Sequence, residues 1–144
     1  MPEGAPHLLF VCVENSCRSQ MAEGFARALG RGRVTVFSAG SEPSGQVDPR
    51  AIRFMAEKGI DLGTHSSKGL DDLPRVRWDH LVTMGCGDAC PNLPARNRID
   101  WDLPDPKTLD DDGFRQVRDR IEKLVHGLMD EAARPGGNQK EHGR

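Results

Sequence analysis

The order of patterns along the chain predicts an α/β fold: an open parallel sheet in three layers, with helices on both faces. Three observations carry this. Short apolar runs alternate with stretches of helical period, the first run stops at a loop that opens a helix, and the chain closes with one long amphipathic stripe.

His7-Leu8-Leu9-Phe10-Val11 is an uninterrupted apolar run and reads as a buried first strand. Ser19 to Leu29 reads as the helix behind it, with Met21, Phe25, Ala28 and Leu29 at helical spacing. Val34 to Gly40 is a second strand ending in a glycine turn, and residues 41–47 form a polar loop. Asp48-Pro49 is a cap and first-turn pair, opening a helix that runs to about Lys58 and stops at Gly59. Ile52, Met55 and Ala56 are its expected buried side. Residues 71–75 suit a short helical turn, Asp79 to Met84 a third strand and Arg98 to Trp101 a short fourth. From Asp111 a long helix carries Phe114, Val117, Ile121, Leu124, Val125 and Leu128, a stripe that reads as core. No internal repeat occurs. Residues 1–133 are expected to form a single catalytic domain, and the glycine-rich, polar residues 134–144 a mobile tail.

A chain of 144 residues can bury a real core. A net charge of -2 provides no global field for nucleic acid or anionic membrane, so neither is expected as a partner. No apolar run approaches a membrane span, and Met1-Pro2-Glu3-Gly4 lacks the basic and apolar regions of a signal peptide. A cytoplasmic monomer is the expectation. Four cysteines in such a chain point to reduced, chemically employed thiols rather than structural disulfides. There is no tyrosine.

The most informative segment is Cys12-Val13-Glu14-Asn15-Ser16-Cys17-Arg18-Ser19, between the first strand and its helix. A loop at that junction points successive N–H groups into one hollow, at the positive end of a helix dipole. Such a hollow suits a tetrahedral oxyanion such as phosphate or arsenate, bound by residues 13–19, with the Arg18 guanidinium gripping two oxygens. Cys12, at the rim, feels the same field, which favours the thiolate over the thiol, and Ser19 is placed to donate a hydrogen bond to it. Cys17 reads as a small packing residue inside the loop.

A second constellation, Thr83-Met84-Gly85-Cys86-Gly87-Asp88-Ala89-Cys90-Pro91, follows the third strand and so lies at a carboxyl edge of the sheet, as Cys12 does. Cys86 and Cys90 admit several readings: a redox pair, two inert buried thiols, or two ligands of a zinc site that no other Cys/His pair at suitable spacing completes. No resident metal is expected. A third element, Asp105, sits in the proline-stiffened loop Trp101-Asp102-Leu103-Pro104-Asp105-Pro106. It reads either as a catalytic acid or as a solvated loop carboxylate.

The segment 12–19 resembles the signature loop of the low-molecular-weight protein tyrosine phosphatase superfamily. Residues 15–24, Asn-Ser-Cys-Arg-Ser-Gln-Met-Ala-Glu-Gly, resemble more narrowly its arsenate reductase branch. The resemblance covers roughly residues 7–130 and implies a four-stranded parallel sheet. It implies Cys12 as nucleophile, Arg18 as oxyanion clamp and Asp105, of the Asp-Pro pair, as general acid. In the reductase branch it further implies Cys86 as the thiol that forms a disulfide with Cys12, and Cys90 as a third relay cysteine. No bound cofactor is implied. The oxidised enzyme is reduced by an external thiol system: thioredoxin in the first instance, glutaredoxin or mycothiol in related branches.

Three departures accompany the match. Lys107 stands where phosphatases of this family carry an aromatic residue, which together with the absence of tyrosine favours a small inorganic oxyanion over a phosphotyrosyl ring. Only Gly87, Asp88 and Ala89 separate Cys86 from Cys90, fewer than in thioredoxin-coupled members. Asn15, Glu23 and Ser38 match ligands of a potassium site in some members, but Lys68 stands at the fourth, so its ammonium is expected in the cation's place. The reading is arsenate reduction, with a phosphomonoester phosphatase as the alternative and a non-catalytic oxyanion or metal sensor as a different class.

Overall fold

The computed structural model describes residues 5–84 and 93–133. The expected tail at 134–144 and the cysteines Cys86 and Cys90 lie outside the described residues.

The apolar run of the first strand does what its composition dictates. β1 (His7–Cys12) takes the middle of the sheet, where Leu8, Leu9, Phe10 and Val11 are fully buried because both faces are covered. It pairs in parallel with β2 (Thr35–Gly40) on one side and β3 (Trp78–Thr83) on the other, and β4 (Ala95–Asp100) adds to β3, also in parallel. The order is β2-β1-β3-β4, the four-stranded parallel sheet expected from the sequence. The register matters for the site. Cys12 pairs with Gly40, and Val11 with Thr83, so the ends of β1, β2 and β3 meet at one carboxyl edge.

Alternate residues of β1 feed two cores. Leu8, Phe10 and Cys12 share a cluster with Met21 and Phe25 of α1 (Arg18–Gly30), Phe54 and Met55 of α2 (Pro49–Ala56), and Phe114, Val117, Ile121 and Val125 of α3 (Asp111–Ala133). Leu9 and Val11 pack with Ala39, Trp78 and Leu81 beneath a single 3-10 turn (Leu70–Asp72) and its flanks, including Leu73 and Val76. Three α-helices thus cover one face, and among the described residues a helical turn and its connections cover the other.

The expected faces of two helices need correction. In α1 the buried side is Met21, Ala22, Phe25 and Ala26, whereas Ala28 is exposed. The first half of that helix is enclosed on all sides by the sheet and by the loops around the site, so even Gln20 and Glu23 are buried. In α2 the buried residues are Ala51, Phe54 and Met55, and Ala56 is exposed. Asp48 caps this helix by accepting from the Arg50 N–H at 2.8 Å, as the Asp-Pro pair predicts. The helix ends at Ala56, and a turn through Gly59 (φ +78°) follows. β4 also differs: it covers Ala95–Asp100, not 98–101. Its residues alternate between half-buried and exposed, and the outward arginines Arg96 and Arg98 hide an edge strand from a search for apolar runs. No helix among the described residues is long and apolar enough to cross a membrane.

Candidate active site

The loop from Cys12 to Arg18 closes between β1 and α1, at the edge where three strands end. Two features of its backbone explain its sequence. Asn15 adopts a left-handed conformation (φ +52°), which asparagine tolerates better than most residues. Gly40 lies against the loop so closely that a Cβ there would sit 2.5 Å from the Val13 carbonyl oxygen and 2.9 Å from the Asn15 nitrogen. A side chain at position 40 would push the loop out of place.

Cys12 is 3% exposed, and its Sγ lies 2.9 Å from Ser19 Oγ. The network behind it leaves Ser19 a proton to donate. Asn15 Nδ2 donates to Ser19 Oγ at 2.7 Å and to Ser38 Oγ at 3.0 Å. Its orientation is fixed because Asn15 Oδ1 accepts from Gln20 Nε2 at 3.0 Å and from the Lys68 N–H at 2.7 Å. With its oxygen already accepting, Ser19 has its own proton to give to sulfur, which is the contact a thiolate nucleophile needs.

The network ends on a buried acid. Ser38 Oγ donates to Glu23 Oε1 at 2.5 Å, and Arg27 Nε donates to Glu23 Oε2 at 2.7 Å. Lys68 Nζ donates to the Ser66 carbonyl at 2.9 Å and lies 3.5 Å from Ser38 Oγ and 3.6 Å from Glu23 Oε1. An ammonium therefore stands beside Ser38 and Glu23, two of the three residues noted in the sequence as a possible cation site. His65 Nδ1 lies 3.9 Å from Glu23 Oε1, and burial lowers its pKa.

Arg18 and Asp105 meet over the cysteine. Arg18 is 9% exposed, donates to the Leu103 carbonyl at 3.1 Å, and approaches Asp105 Oδ2 at 4.0 Å. Asp105 caps a 3-10 turn (Pro106–Thr108) by accepting from the Lys107 N–H at 3.1 Å, so the acid is held by the turn that Pro106 begins. Cys12, Val13, Glu14, Ser16, Cys17, Arg18, Asp105 and Lys107 line one cavity of about 230 Å3. Of the residues singled out in the sequence, Asn15 and Ser19 stand behind the wall, as supports.

Cys17 shares the cavity without being activated. Its Sγ–H donates to Asp48 Oδ2 at 3.4 Å, and its pKa is driven far up, first by burial and then by the Asp48 charge. Among the described residues, Cys12 and Cys17 are free thiols, and no group of three or more His, Cys, Asp or Glu side chains could hold a metal ion.

Sequence reasoning missed two contacts of the site. The pairing of Cys17 with Asp48 joins loop positions far apart in the chain and leaves no local signature. The Lys107 ammonium pairs with the Glu14 carboxylate across the cavity mouth. Its signal was available, since a lysine directly after Asp105-Pro106 must lie close to any anion bound there.

The Cys12 sulfur, the buried Arg18 guanidinium and the Asp105 carboxylate gather around one strand–loop–helix hollow, the class of arrangement that suits cysteine-based oxyanion chemistry. The chain belongs to the low molecular weight phosphotyrosine protein phosphatase family, whose model matches residues 7–138. It is similar to the glutaredoxin arsenate reductase of Synechocystis, with 40% identity over 125 residues, covering 85% of this chain and 95% of that protein. A solved arsenate reductase in its phosphate-binding state superposes with a TM-score of 0.79 at 38% identity, covering 89% of this chain and 99% of the other. The thioredoxin-dependent arsenate reductase of Corynebacterium glutamicum superposes with a TM-score of 0.77 at 30% identity, covering 92% of this chain and 64% of the other.

Proposed function

We propose that this protein reduces arsenate to arsenite through a cysteine adduct and a disulfide relay, as a monomeric cytoplasmic enzyme whose catalytic domain is residues 1–133. The observation that carries this is the shared cavity of Cys12, Arg18 and Asp105, with a Ser19 hydroxyl aimed at the cysteine sulfur. The similarity to arsenate reductases supports the choice of oxyanion.

Arsenate docks on the loop N–H groups and the Arg18 guanidinium. The Cys12 thiolate attacks arsenic, and Asp105 protonates the departing hydroxide, which leaves as water. The product is a Cys12–arsenic(V) adduct. Cys86 then attacks Cys12 Sγ, and the electron pair of the sulfur–arsenic bond passes to arsenic, which departs as arsenite. The two electrons come from two thiols, which become a Cys12–Cys86 disulfide. Support for the reach of Cys86 comes from Met84, whose N–H donates to the Val11 carbonyl at 2.9 Å. Two residues of chain from there span at most about 7 Å. Cys90 displaces Cys12 and carries the oxidised pair to thioredoxin, with glutaredoxin or mycothiol as the other candidate reductants. The Lys68 ammonium serves as a built-in cation beside Glu23.

Hydrolysis of phosphomonoesters is a second reading, favoured by the family itself and by the presence in one cavity of the three groups it would use, Cys12, Arg18 and Asp105. Coupled assays separate the two. Arsenate-dependent oxidation of NADPH with thioredoxin, or glutaredoxin, and the matching reductase supports reduction. Hydrolysis of an aryl phosphate without arsenate turnover replaces that reading with the second.

A further inference from the structure

The mouth of the cavity carries a pair of charges that neither the nucleophile, the clamp nor the acid explains. Glu14 belongs to the oxyanion loop, and its backbone is pinned from outside: its carbonyl accepts from the Ser44 N–H at 3.1 Å and from Ser67 Oγ at 2.9 Å. Lys107 belongs to the acid loop, and its backbone is pinned by Asp105 Oδ1. Their side chains bridge the two loops across the opening, beside the Arg18–Asp105 pair. Both side chains line the same cavity as Cys12 and remain partly exposed, 33% for Lys107 and 46% for Glu14.

An exposed ion pair is weakly held, because water competes for both partners. A lysine is a flexible point charge with three donors, so it can change partner without moving its backbone. Glu14 offers it one negative charge, whereas an inorganic oxyanion seated above Cys12 offers two. We propose that Lys107 is a specificity-determining residue of this pocket, whose ammonium exchanges the Glu14 carboxylate for an oxygen of a doubly charged inorganic oxyanion. The Glu14 hydrogen bond raises the Lys107 pKa, so the ammonium is present throughout the neutral range. Glu14 has the opposite effect: it competes for Lys107 and repels the incoming anion. An organic ester would have to pass its substituent through the opening that this pair spans, so the pair selects for small inorganic anions. The inference rests on the oxyanion reading of the site, but not on the reductase chemistry.

The test measures binding of inorganic phosphate by its protection of Cys12 against iodoacetamide in the fully reduced chain. Circular dichroism establishes that each variant is folded. Lys107→Met should weaken phosphate binding about tenfold, the loss of one charge-assisted contact. Glu14→Gln should tighten it roughly threefold, by releasing Lys107 and removing a like charge. In the Lys107→Met background, Glu14→Gln should have less than about half that effect in free energy, because the competition is gone. Unchanged phosphate binding in Lys107→Met overturns the proposal. An equal Glu14→Gln gain in both backgrounds overturns it too, since the charges would then act independently. Arsenate turnover plays no part in this readout, so a failure of the reductase reading would be seen separately, as absent NADPH oxidation with intact phosphate protection.

Discussion

Gly40→Ala should disable the site while leaving most of the fold intact. The added methyl would lie 2.5 Å from the Val13 carbonyl oxygen and 2.9 Å from the Asn15 nitrogen, where ordinary contact begins at 3.4 Å. Both atoms are backbone, so no rotamer change relieves the clash, and the oxyanion loop must retreat by about an ångström. Overpacking of this kind costs about 1–3 kcal/mol. For a chain of this size that corresponds to a fall in Tm of roughly 3–12 °C. A displacement of that size in a catalytic group can cost about a hundredfold in rate. Gly24→Ala is the matched control. Its methyl would meet Leu62 Cδ2 at 2.9 Å, Ile60 Cγ2 at 3.2 Å and Met55 Cε at 3.2 Å, all side-chain atoms that can give way, and none of them in the loop from Cys12 to Arg18. It should lower Tm and leave turnover within about threefold, any helix-propensity gain offsetting part of the loss. The assays are arsenate turnover with a saturating thiol reductant and thermal unfolding by circular dichroism. Wild-type turnover by Gly40→Ala would refute the claim that the close approach of β2 sets the loop.

Four further outcomes are expected. Cys12→Ser should abolish arsenate reduction and any aryl phosphatase activity, and Arg18→Lys should lose at least about tenfold, since a point charge cannot grip two oxygens; steady-state rates with each substrate check both. Cys86→Ser should lose arsenate reduction and keep whatever aryl phosphate hydrolysis the wild type shows, because ester hydrolysis needs no second thiol; loss of both in a folded variant would make Cys86 structural. Glu57 is held at a pKa of about 2, first by its hydrogen bond to Arg115 and then by that to Arg118. Its folded value is depressed, so its contribution is complete above the ordinary value of 4.5 and is lost as pH falls toward 2; Tm should therefore fall less steeply across that window in Glu57→Gln than in the wild type. Replacing sodium by potassium at equal ionic strength should leave Tm and turnover unchanged, because Lys68 stands beside Glu23 and Ser38; a marked potassium effect would displace that assignment.

The parts of this protein legible in its sequence are those coded locally. A continuous apolar run marked β1 as a buried strand, and the position of Cys12 and Arg18 between it and a helix made the loop readable from local sequence. The Asp48-Pro49 pair announced its helix for the same reason: the side chain and ring act on their own backbone. Helical period, in contrast, identified α1 and α2 but misassigned Ala28 and Ala56, because alanine fits either side and only the tertiary surroundings decide. β4 was half missed, as its outward arginines break the apolar signal. The pairings Arg18 with the Leu103 carbonyl and Cys17 with Asp48 each join distant loops, and nothing local encodes them.

In the proposed reaction two thiols of this chain supply the electrons that reduce an oxyanion held above Cys12. Mass spectrometry of the four cysteines, after one arsenate turnover without external reductant, tests it most directly. One arsenite should be released per chain, with a single intramolecular disulfide, Cys12–Cys86, or Cys86–Cys90 once the relay has advanced. Cys17 should remain a thiol. Arsenite released with all thiols still reduced, or a Cys12-arsenic adduct that persists without any disulfide, would contradict it.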